Sequence, residues 1–66
     1  MIQEHIDYVK DNMLLFTTSR RYNPGELEKI FEIYNAVTGE KKRLTGCARC
    51  ISATKLMVLH HYNKSL

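Results

Sequence analysis

The chain has 66 residues, 44% of them hydrophobic and 26% charged, with one proline and three glycines. That composition is typical of a folded domain and excludes a disordered or low-complexity chain. The net charge of +3 conceals an asymmetry: residues 1–40 carry Lys10, Arg20, Arg21 and Lys29 against seven carboxylates, whereas residues 41–66 carry Lys41, Lys42, Arg43, Arg49, Lys55 and Lys64 against none.

A chain of this size is one domain, residues 1–66, near the lower limit for a self-sufficient core. Such chains commonly draw on a metal, disulfides or a second subunit to exceed about 3–5 kcal/mol of stability. The longest apolar runs, Met13 to Phe16 and Leu56 to Leu59, fall far short of the roughly 20 residues that span a bilayer, so no membrane partner is expected. Glu4, Asp7 and Asp11 near the start do not read as a signal peptide. The expected setting is therefore cytoplasmic, with reduced cysteines, and the sequon Asn63-Lys64-Ser65 goes unused.

Ile2, Ile6, Val9, Met13 and Phe16 recur at 4-3-4-3 spacing, which predicts a first helix over about 2–16. Leu14 and Leu15 widen its apolar surface, and Leu14 to Thr18 also reads as a short strand. The second helix, 24–38, is marked at both ends. Asn23 is placed as N-cap, Pro24 at the first helical position and Glu26 as capping-box partner, with Tyr22 and Leu27 as a hydrophobic staple. Leu27, Ile30, Phe31, Tyr34 and Val37 form its apolar face, and Gly39 is its left-handed stop. The basic loop Gly39 to Gly46 follows, and a third helix is expected over 46–63. The fold class predicted is all-α, a compact three-helix domain.

Both cysteines and two of the three histidines lie between Leu44 and His61. On a helical wheel Cys47, Cys50, Ile51, Thr54, Met57, Val58 and His61 fall within about 80° of one direction, so both cysteines are expected in a buried helix–helix seam, packing as small apolar residues. A Cys-x-x-Cys pair is half of many zinc sites. However, His60 and His61 stand roughly 15 Å further along a continuous helix, and the spacing misses the two-Cys, two-His finger pattern. No metal or other cofactor is expected. Arg43 and Arg49 beside Cys47 at a helix start favour its thiolate, but a thioredoxin-like site needs a βαβ scaffold that is absent here. Nor is there a Ser/His/Asp spacing or a phosphate loop. The protein is expected not to be an enzyme.

Two features exceed what folding requires. Lys41, Lys42, Arg43, Arg49 and Lys55 form a basic group suited to nucleic-acid phosphates, although the loop is too long for a helix-turn-helix motif. Leu56 and Leu59, with Tyr62 close by, lie off the expected buried stripe and suit a protein partner or a second copy of the chain.

The stretch "EIYNAVTGEKKRLTGCARC" resembles a pattern in small uncharacterised proteins of tailed bacteriophages: an amphipathic helix ending in Tyr-Asn, a polar loop, then Cys-x-x-Cys opening another helix. The resemblance covers about residues 25 to 63. It implies a phage origin and action in the cytoplasm of an infected bacterium or in the virion. It assigns no functional residue.

Overall fold

A computed structural model describes residues 1–18 and 21–66; Arg20, counted above among the N-terminal cations, lies outside the described residues. Among the described residues the architecture is a small all-α domain of four helices: α1 (Gln3–Asp11), α2 (Met13–Thr17), α3 (Pro24–Thr38) and α4 (Ala48–Ser65). Among the described residues there is no strand, so the helical reading of Leu14 to Thr18 is the correct one.

The single helix expected over 2–16 is two helices. At Asn12 the backbone leaves the helical region (φ −123°, ψ 35°). The Asn12 side-chain amide donates to the Tyr8 carbonyl at 2.9 Å, and its backbone N–H donates to the same oxygen. Asparagine offers the backbone an alternative to the next helical bond, so the helix stops there. The break resets the phase of the apolar stripe. His5 and Val9 turn inward from α1, Leu15 and Phe16 from α2, while Ile2 and Leu14 are exposed.

The capping box, the proline and the glycine stop expected at the ends of α3 are present. Asn23 accepts from the Glu26 N–H at 2.8 Å, the Glu26 carboxylate accepts from the Asn23 N–H at 3.0 Å, and Pro24 opens the helix. Gly39 closes it with φ 75°, where a side chain would be strained. Ile30, Phe31, Ile33 and Tyr34 are buried. Ile33 lies off the expected face. α3 packs along α4 and is also tied to α1, through His5 to Glu32 at 3.3 Å and Lys29 to Glu4 at 3.6 Å. A helix covered from two directions buries a wider arc than one apolar stripe.

α4 buries Ile51, Thr54, Lys55, Val58 and Tyr62. The buried arc is therefore turned by roughly 50° from the expected one. Both tyrosine and lysine carry long apolar bodies that bury readily with a polar tip, and here they draw the seam towards themselves. Thr54 satisfies its buried hydroxyl by donating to the Cys50 carbonyl at 2.7 Å. No helix among the described residues is long and apolar enough to cross a membrane.

Candidate functional site

The connection between α3 and α4, residues 39–47, has no regular structure, yet side chains of α3 brace it. The Asn35 amide donates to the Lys42 carbonyl at 3.0 Å, and its oxygen accepts from the Lys42 N–H at 2.9 Å. This pairing reproduces one rung of a backbone ladder. The Tyr34 hydroxyl donates to the Glu40 carboxylate at 2.6 Å, which raises the tyrosine's pKa above its ordinary value because ionisation would break that bond. The Lys42 ammonium stands 5.1 Å from the centre of the Tyr34 ring, a cation–π distance. Thr38 donates to the Tyr34 carbonyl and accepts from the Glu40 N–H. Tyr34 and Asn35, near the C-terminal end of α3, are thus the part that holds the loop, a role the apolar pattern does not reveal. The available signal is a polar Asn35 one turn before the Gly39 stop.

Of the five expected phosphate contacts, Lys41, Arg43 and Arg49 are exposed and Lys42 is half-buried. Among the described residues none of the four has an ion-pair partner, whereas Lys29 reaches both Glu4 and Glu32. Lys55 does not belong with them. Only 6% of it is exposed, and its ammonium donates to the Thr18 carbonyl at 2.9 Å and to the Tyr22 hydroxyl, above the Tyr22 ring. Its stem fills the seam while its head closes off the carbonyl left free after α2. A surface role for Lys55 is therefore corrected to a structural one.

The apolar anchors also divide. Leu56 is 67% exposed and is joined on the outside of α4 by Met57. Leu59 is half-buried against the core, and Tyr62 belongs to the core itself; α1, α2 and α3 all pack on α4. These two positions are corrected to packing residues.

Neither cysteine is among the buried residues of the seam. Both are free thiols, Cys47 exposed and Cys50 half-buried. Cys47 is the N-cap of α4 in extended conformation, and its N–H donates to the Thr45 hydroxyl at 3.2 Å. The first turn of α4 has neither an acidic residue nor a formed side-chain cap. The Cys50 N–H, then the Cys50 thiol, and the Arg49 N–H favour the Cys47 thiolate and lower its pKa. The same contact with Cys47, aided by burial, raises the pKa of Cys50.

His60 and His61 meet edge to face, with ring centres 5.7 Å apart. An open cleft of about 380 Å³ at their end of the molecule is lined by Met1, Ile2, His5, Ala36, Val37 and His61. His5 turns its Nε2 to Glu32, while its buried Nδ1 has no partner among the described residues. No three His, Cys, Asp or Glu side chains among the described residues are placed to hold one metal ion. Comparison with family models, with curated proteins and with solved structures gave no match.

Proposed function

We propose that the protein is a non-enzymatic binding protein that contacts nucleic-acid phosphates through Lys41, Arg43 and Arg49, with Lys42 at the edge of the contact. One observation carries this reading: a loop braced by Tyr34 and Asn35 exposes cations that have no carboxylate partner among the described residues. A braced loop loses little conformational freedom on binding, and the uncapped start of α4 adds partial positive charge beside it. The contact reads backbone charge and not base sequence, because its cations sit on a loop and a helix start instead of along a helix face that could lie in a groove.

Fluorescence anisotropy of the protein with single- and double-stranded oligonucleotides over a salt series tests the proposal. Three or four phosphate contacts give a log–log salt slope of about −2 to −4, and Arg43→Ala or Arg49→Ala each reduces its size by about 1. Absent or salt-insensitive binding removes the reading. Its place of action, an infected bacterium or the virion, rests on the resemblance of residues 25 to 63 to tailed-phage proteins.

The exposure of Leu56 and Met57 favours a second reading, a protein-interaction module acting as a virion component or as an inhibitor of a host protein. Leu56→Ser would then abolish the complex with helicity unchanged.

A further inference from the structure

The start of α4 holds an exposed sulfur, a second sulfur one turn further on and less exposed, and Arg49, with no acid in the first turn and Arg43 in the loop before it. Phosphate contact makes no use of the sulfurs. We propose that Cys47 and Cys50 form a thiol–disulfide exchange couple that reacts with anionic low-molecular-weight disulfides, Cys47 attacking and Cys50 resolving.

The division of labour follows from position. Exchange requires a thiolate that the disulfide can reach. Cys47 is exposed, and the N–H groups of Cys50 and Arg49 favour its ionised form. Cys50 is half-buried, and its neighbour Cys47 and burial raise its pKa, so it remains protonated until Cys47 has reacted. In the first step the Cys47 thiolate attacks one sulfur of RSSR. The S–S bond breaks, a mixed disulfide forms on Cys47, and one RS⁻ leaves with the electron pair. With the negative charge on Cys47 gone, Cys50 loses its proton to solvent and attacks the Cys47 sulfur. The second RS⁻ departs. Two protein thiols have been oxidised to one disulfide, and RSSR has been reduced to two thiols.

Geometry permits the closure. Side chains three residues apart at a helix start lie about 5–6 Å apart at Cβ, and a disulfide needs about 3.5–4.5 Å. Cys47 sits outside the helical region at φ −68° and ψ 116°, so it can turn towards Cys50 while its carbonyl still accepts the Ile51 N–H that opens α4. Arg43 and Arg49, both exposed, set the preference for an anionic disulfide, since long-range attraction raises the encounter rate and fades with salt.

The test uses the full reduced chain with glutathione disulfide at neutral pH, quenched with acid, alkylated and weighed by mass spectrometry. Wild type is expected to lose two hydrogens and both alkylation sites without retaining glutathione. Cys50→Ser should stop at one glutathione adduct on Cys47, and Cys47→Ser should react at least about tenfold more slowly than Cys50→Ser. Cystamine, a cationic disulfide, should react more slowly than glutathione disulfide at low salt, with the gap closing as salt rises. Peptide mapping of wild type after brief alkylation, which needs no variant, should find Cys47 modified before Cys50. Glutathione adducts accumulating on wild type without an internal disulfide would overturn the proposal, as would equal rates for the two serine variants or earlier modification of Cys50.

Discussion

Replacing Asn35 with alanine removes no charge and no core side chain, yet it should weaken both the fold and the phosphate contact. Asn35 makes two hydrogen bonds to the backbone of Lys42, at 3.0 and 2.9 Å. Each such bond contributes about 0.5–1.5 kcal/mol net, so about 2 kcal/mol depends on the pair. Asn35 lies within α3, where alanine is the better helix former by about 0.5 kcal/mol. The expected net loss is therefore about 1–2 kcal/mol, read from the shift in urea midpoint at unchanged slope. In a domain of this size that lowers Tm by about 6–12 °C. The loop, no longer braced, must be ordered on binding, and one residue's worth of backbone entropy, about 1–2 kcal/mol, weakens phosphate affinity by about tenfold. Asn35→Ala as stable as wild type would refute the claim that this pairing holds the loop. Unaltered affinity in a destabilised variant would detach the loop's order from binding.

Ile33 is fully buried, as is Ile30, so Ile33→Ala should cost about 2–5 kcal/mol by chemical denaturation, as should Ile30→Ala, and Leu27→Ala, half-buried, should cost less. Lys55→Met should leave the salt slope of any nucleic-acid binding unchanged while lowering stability by about 1–3 kcal/mol, because the Tyr22 hydroxyl loses its donor and the Thr18 carbonyl keeps only the long bond from Tyr22. Glu32 is held below its ordinary value of 4.5, first by the hydrogen bond from Lys29, with His5 adding to it against an opposing effect of burial. A depressed folded-state value means its contribution is present above the unfolded value and lost as pH falls through the folded one. Thermal melts should therefore fall off below about pH 4.5, and less steeply in Glu32→Gln.

Local chemistry makes α3 legible from its own residues. Asn23, Pro24, Glu26 and Gly39 act on backbone groups within a few residues of themselves, so their meaning does not depend on the rest of the chain. The helical class and a helix in the C-terminal third are equally readable from spacing. The break at Asn12 is not, since a polar side chain between two apolar runs either faces water or takes a carbonyl, and spacing does not distinguish these. The seam of α4 escapes the pattern for a related reason. Hydropathy ranks Lys55 and Tyr62 below Cys47 and Met57, but the packed helices bury the long amphipathic side chains of the first pair and leave Cys47 and Met57 exposed.

The same step from pattern to packing shapes the candidate surface. That the C-terminal third carries unopposed positive charge follows from the residues alone, because charge belongs to each side chain whatever surrounds it. Which cations meet solvent depends on how the helices pack. Lys55 meets the carbonyl and ring left open by α2 and Tyr22 and is drawn inside, whereas Lys41, Arg43 and Arg49 sit on or beside a loop that Tyr34 and Asn35 hold from below. A side chain's exposure is set by what the rest of the chain places beside it, and those neighbours are 33 and 37 residues away in the case of Lys55.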